Sequence, residues 1–361
     1  MSNEKLVPDR LMYGESNIKE SDVKYYDVME QPFELYGFYE PRKLGGYQRL
    51  PDEIGKNVND GVARLYTNTA GGRARFSTDS QYVVVRAEFP SVYRAGHFAL
   101  CASSGFDLYV DDPNGGRSRY YGLFRGEAKM TDGFAAILRF PDRRLRHLTL
   151  NFPLYNDVSR VWVGLQEDAV VGGGAKYRNV LPVVFYGSSI TQGACASRPG
   201  NCYENMISRR LNIDYLNLGF SGNGKAEDLI VDYMADLPMS VFVSDYDHNA
   251  PNVEYLRATH CKMYQRIREK NPDLPYVMIT RPDFVKDFEK GYLASIDRRD
   301  VIIDTFRYAR EQGDRNVYFI DGESFFAGEW EDSCTVDGTH PNDLGFSKMA
   351  AVIGEILDRI L

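Results

Sequence analysis

The sequence predicts an α/β protein built in two parts. An antiparallel β-sandwich of jelly-roll type covers residues 1–175, and a domain with a parallel sheet covered by helices covers residues 176–361. Three observations predict this. Short apolar or alternating runs recur at 81–89, 97–101, 106–110, 134–140 and 148–152, with no sustained helical period between them. From residue 183 onward, strand-like runs alternate with amphipathic helical stretches. Between the two regions lies the glycine triplet Gly172-Gly173-Gly174, read as a short connection.

Within the first part, Asp112-Pro113-Asn114-Gly115-Gly116 supplies the turn chemistry of a hairpin between two strands. Several short strands at this spacing fit a sandwich better than a helical fold. In the second part the expected strands are 183–186, 215–218, 241–244, 276–280 and 317–320. The expected helices are 202–211, 225–236, 252–270, 296–312 and 343–361. Ligand sites in such sheets form beyond the carboxyl ends of the strands.

Composition narrows the function. The formal net charge of −8 argues against nucleic acid or an anionic membrane as partner, since both attract basic faces. No window has the apolar length of a membrane span, and the polar opening Met1-Ser2-Asn3-Glu4-Lys5 precedes no apolar signal core. A cytoplasmic protein is the expectation. Five cysteines, an odd number without framework spacing, agree with free thiols, although Cys195 and Cys202 flank one loop and can pair under oxidising conditions.

Every chemically interesting segment follows an expected strand. Gly187-Ser188-Ser189-Ile190-Thr191-Gln192-Gly193 follows the first, Gly219-Phe220-Ser221-Gly222-Asn223-Gly224 the second, and Asp245-Tyr246-Asp247-His248-Asn249 the third. Asp337-Gly338-Thr339-His340-Pro341-Asn342 lies beyond the fifth, before the last helix. Acyl transfer needs a hydroxyl, a base within hydrogen-bond reach, a group that orients the base, and donors for an oxyanion. Ser189 on a strand-to-helix turn, with Asp337 and His340 three residues apart, fills the first three roles. Gly222 offers an unhindered N–H and Asn249 a side-chain amide.

In order and spacing these four segments resemble the SGNH (GDSL-type) hydrolase superfamily. The resemblance implies a flavodoxin-like catalytic domain, with Ser189 as nucleophile and Asp337 and His340 completing a triad. It also implies an oxyanion hole formed by Ser189, Gly222 and Asn249. Two departures stand out: Ser188 replaces the usual Asp of the first block, and the third block is atypical around Asn249. Gly105-Phe106-Asp107-Leu108-Tyr109 in the β part is similar to a segment found in a subgroup with an N-terminal β domain. That two-domain arrangement is similar to carbohydrate acetylesterases, so the resemblance implies deacetylation of sugars, with an acetylated oligosaccharide of mannan or xylan type as substrate. No cofactor and no metal is called for, and a homo-oligomer stays open.

Each feature also has a plainer reading. Asp245, Asp247 and His248 read as supporting groups at a strand end, with a metal-dependent hydrolase as the rival. His97, His147 and His260 read as structural or surface residues. Trp330, in the aromatic run 325–330 before the triad loop, is either packing or a platform for a sugar ring. Arg198 is open between structural pairing and a substrate contact. A catalytically idle sugar-binding protein and an esterase or lipase of other esters remain alternatives, a lipase being less favoured without a long apolar lid segment.

Overall fold

A computed structural model describes residues 14–282 and 293–361. The first half supplies β1 (Val23–Asp27), β2 (Glu34–Tyr36), β3 (Arg73–Thr78), β4 (Tyr82–Glu88) and β5 (Phe106–Asp111). It continues with β6 (Arg119–Phe124), β7 (Gly133–Arg139), β8 (Arg146–Asn151), β9 (Arg160–Gln166) and β10 (Val171–Gly173). One sheet has the order β1-β9-β4-β7, the other β10-β3-β8-β5-β6 with β2 beside β3, and the pairings are antiparallel.

Alternation along each strand fills the space between these sheets. Val83, Val85 and Ala87 of β4 face Phe76, Phe106, Leu108, Leu148 and Leu150, whereas Tyr82 and Val84 pack on the outer side with Ile137. On β5 the same alternation sends Phe106 and Leu108 into this core and leaves Asp107 and Tyr109 on the opposite face.

The second half contains β11 (Val183–Gly187), β12 (Tyr215–Gly219), β13 (Val241–Asp245), β14 (Tyr276–Ile279) and β15 (Val317–Ile320). All pair in parallel, in the order β12-β11-β13-β14-β15. This is the flavodoxin-like order, whose switch point lies between β11 and β13. Val184 and Tyr186 pack on one side with Ile230, Met234, Leu256 and Met263; Val183 and Phe185 pack on the other with Ile207, Phe346, Met349 and Ile353. No described helix is long and apolar enough to cross a membrane.

Local readings differ in three places. The run at 97–101 is not a strand; it leads into the short helix Leu100–Ser103, where Ala102 O accepts from Leu154 N at 2.9 Å. The glycine triplet is partly strand, because β10 pairs with β3 and Gly174 lies where a Cβ would stand 2.5 Å from the Arg75 Cβ. Three short helices, Pro41–Leu44, Asp52–Gly55 and Asp60–Leu65, interrupt the β half. Helices this short rely on tertiary burial rather than on their own propensity, so no period announces them.

Those helices belong to the seam between the halves. Leu50, Val62 and Tyr66 share one apolar core with Val184, Tyr186 and Phe220. Arg49 is fully buried there. Its guanidinium donates to the carbonyls of Asn217 and Gly219 at 3.1 and 2.7 Å, and to those of Asn68 and Leu65 at 2.8 and 2.6 Å. Burial lowers its pKa to about 9.

Candidate active site

The turn that carries Ser189 is shaped by close approach. A Cβ on Gly187 would sit 2.0 Å from Thr191 Oγ1 and 2.4 Å from Asp245 O, so glycine is required where β11 ends. Ser188 N donates to Asp245 O at 3.1 Å, and Ser188 Oγ accepts from Ile190 N at 3.2 Å, capping helix Ser189–Gln192. Ser188 thereby performs the capping that an Asp could perform at this position. Gly193, with φ of 95°, closes the helix, and its N–H returns to Ser189 O at 3.1 Å.

Ser189 Oγ lies 2.9 Å from His340 Nε2, and His340 Nδ1 lies 2.7 Å from Asp337 Oδ2. The other carboxylate oxygen accepts from the His340 and Thr339 amides at 2.8 and 3.0 Å. Burial pushes the Asp337 carboxyl up, but these bonds from His340 and Thr339 outweigh it and hold the pKa at about 2. An ionised Asp337 fixes the ring proton on Nδ1 and leaves Nε2 as the acceptor facing Ser189. The arrangement can therefore withdraw the hydroxyl proton.

Gly222 and Asn249 come from the two strands flanking β11. The turn after β12 is closed by Asn223 and Gly224 amides, which donate to Phe220 O at 2.8 and 3.0 Å; the Gly222 N–H belongs to neither bond. Gly222 has φ of 70°, in the left-handed region. Asn249 Nδ2 donates to the same Phe220 O at 2.9 Å, which ties the third block to the second and spends one of its two amide protons.

The loop after the Ser189 helix is anchored to the β half. Asp107 is completely buried, and its Oδ2 accepts from Gly200 N at 2.8 Å and from Arg198 at 3.2 Å, while Oδ1 accepts from Asn151 at 2.8 Å. Arg198 also donates to the Tyr109 hydroxyl and lies 4.0 Å from the centre of the Tyr120 ring. The Gly105–Tyr109 segment thus gains a physical role: its inward residues build the sandwich and its outward Asp107 holds the loop that follows Ser189. Arg198 is engaged in that tie.

Residues 181–358 match the family of GDSL-like lipases and acylhydrolases, and residues 23–171 match the N-terminal region of SGNH-hydrolase-type esterases. This chain is an SGNH hydrolase. It is similar to a protein from Bacteroides ovatus named as a GDSL-like lipase, with 27% identity, a TM-score of 0.83, and coverage of 94% of this chain and 98% of that one. It is also similar in fold to the salicylyl-acyltransferase SsfX3 of a tetracycline biosynthetic pathway (18% identity, TM-score 0.72, 95% and 99% covered). A third likeness in fold is to the acetyl xylan esterase Est2A from Butyrivibrio proteoclasticus (13% identity, TM-score 0.55, 94% and 98% covered). No curated protein matches the sequence.

In the SGNH hydrolase one residue read from the sequence as structural or surface lies near the His340 ring without joining the hydrogen-bonded relay. His97, an exposed residue of the β half, has its ring centre 5.7 Å from that of His340. Cys195 Sγ donates to the His97 carbonyl at 3.5 Å. No spacing along the chain encodes this approach. Asp245 and Asp247 serve as supports: Asp245 accepts from Thr191 at 3.4 Å, and Asp247 accepts from Arg281 N at 3.0 Å. Trp330 is 63% exposed on the loop before Asp337 and holds a left-handed φ of 65°. Phe325 and Phe326, by contrast, are buried in the core. All five cysteines are free, Cys195 and Cys202 included.

Proposed function

We propose that this SGNH hydrolase is a serine esterase that removes acetyl groups from oligosaccharides of mannan or xylan type. The observation that carries the reading is the continuous relay from Ser189 Oγ through the His340 ring to Asp337. His340 takes the Ser189 proton as the hydroxyl attacks the ester carbonyl. Donors from Ser189, Gly222 and Asn249 hold the oxyanion, and His340 then protonates the departing sugar hydroxyl. Water, activated by the same imidazole, releases acetate from the acyl-enzyme.

The sugar part rests on two supports: the two-part fold it has in common with an acetyl xylan esterase, and the exposed Trp330 on the chain segment that precedes Asp337, suited to stacking on a sugar ring. A second reading follows from the likeness to a salicylyl-acyltransferase: the acyl-enzyme can pass its group to an alcohol instead of water. Acetate release should be measured from acetylated mannan and xylan oligosaccharides and from an aryl acetate, with and without an added acceptor alcohol. Activity on the oligosaccharides that disappears in Ser189→Ala is expected. Undiminished activity in that variant overturns the mechanism. Turnover of the aryl acetate alone overturns the sugar assignment, and product formed mainly with an acceptor favours the transferase.

A further inference from the structure

Three side chains from three separate segments meet beside the triad. His97 comes from the segment joining β4 to β5, Cys195 from the loop after the nucleophile helix, and His340 from the triad loop. Their ligand atoms lie within 4.8 Å of one another. Among the described residues no other three His, Cys, Asp or Glu side chains meet this spacing. Cys195 adopts a left-handed φ of 68°, a conformation that glycine would occupy at lower cost. A thiol therefore stands at a position where local backbone energetics favour having no side chain.

We propose that His97, Cys195 and His340 form a binding site for a thiophilic divalent cation such as Zn²⁺, and that filling it silences the esterase. Nitrogen and sulfur ligands around a tetrahedral zinc ion stand about 3.5 Å apart, so ligand atoms already within 4.8 Å of one another need only small side-chain rotations, of His97 and of Cys195, to close on an ion. His340 Nδ1 is held by Asp337, which leaves Nε2 for the ion. A carboxylate behind a histidine is the arrangement that orients metal-ligating imidazoles. Cys195 releases its thiol proton to solvent on binding. Two imidazoles and one thiolate leave the fourth position to water or to Ser189 Oγ.

Silencing follows from a conflict at one atom. The lone pair on His340 Nε2 that would receive the Ser189 proton is the one that would hold the cation. This clause rests on the esterase reading; the binding site does not.

Metal-free protein should be titrated with Zn²⁺ by calorimetry and with Co²⁺ by absorbance, in which a thiolate ligand produces a charge-transfer band. One site is expected in wild type and in Ser189→Ala. His97→Ala and Cys195→Ser should each weaken Zn²⁺ binding by about tenfold or more, and Cys195→Ser should abolish the cobalt band. In parallel, Zn²⁺ should inhibit aryl acetate hydrolysis by wild type, with recovery on adding EDTA. Both variants should keep metal-free hydrolysis and lose the sensitivity. Binding that is equally tight in the two variants, or cobalt binding with no thiolate band, overturns the site. One-site binding with unaltered hydrolysis overturns the silencing. If metal-free wild type hydrolyses no ester, the esterase reading fails while the titrations still decide the site. His97→Ala carries the test should Cys195→Ser fail to fold, because His97 is exposed.

Discussion

The Tyr155 hydroxyl, carried by the β half, donates to the main-chain carbonyl of Ser189 at 3.2 Å. The tyrosine is buried against Phe98, with ring centres 4.4 Å apart. The short helix bearing Ser189 is therefore braced from outside the sheet that presents it. Tyr155→Phe keeps the ring and deletes the brace. Because Gly193 and Ala194 amides still reach Ser189 O, the expected loss is modest, about 1 kcal/mol or less than tenfold in kcat/KM. Steady-state kinetics on an aryl acetate measure it.

Asp337 acts through His340. Asp337→Asn should retain the fold but lower kcat by about 10⁴-fold, since an amide can favour the wrong imidazole tautomer. A far smaller loss would show that the carboxylate is dispensable.

The same carboxyl predicts a pH signature in stability. Its folded pKa, about 2, is below the ordinary 3.8, so its ionised form stabilises the fold fully above about pH 4. That contribution fades as pH falls from 3.8 through 2. The melting-temperature gap between wild type and Asp337→Asn should be constant from pH 5 upward and narrow on acidification. A gap that widens in acid contradicts the assignment.

Asn249→Ala should reduce kcat by about 10²- to 10³-fold with little change in KM, as for loss of one oxyanion donor. Gly222→Ala meets no steric neighbour, yet its φ of 70° makes any side chain strained, at about 1 kcal/mol of stability. Chemical denaturation separates that cost from an effect on turnover.

Asp107→Asn leaves the Arg198 guanidinium without its counter-charge at a largely buried position. Stability should fall by about 3 kcal/mol while KM for a small ester stays near wild type. A raised KM at unchanged stability would instead make Arg198 a substrate contact. Trp330→Ala should do the opposite: stability is maintained, and KM for oligosaccharides rises about 2- to 10-fold, with no change for an aryl acetate.

What the sequence made legible follows from where the information resides. Ser189, Asp337 and His340 lie in short local motifs at strand ends, and strand–helix alternation tells which ends share a face. The sandwich and the parallel sheet covered by helices were readable for the same reason, since period 2 and period 3.6 are local properties, whereas the flavodoxin-like order was implied only by the family resemblance. His97, Tyr155 and Arg49 were not readable. Each acts across the docking of the two halves, and His97 is separated from Cys195 by 98 positions along the chain. The role of Arg198 was undecidable until β5 alternation placed Asp107 on the face opposite the sandwich core.

Arg49 has a consequence for how the molecule comes apart. Its guanidinium is fastened at once to carbonyls of the β half and to the end of β12, the strand that leads into Gly222. Separating the halves would strand a positive charge and several carbonyls, so neither half gains by melting first. The change of grammar near residue 175 marks a border in composition, whereas calorimetry should record a single cooperative transition across it. The turn that carries Gly222 thus depends on the whole chain, and residues 176–361 expressed alone should fail to hold it.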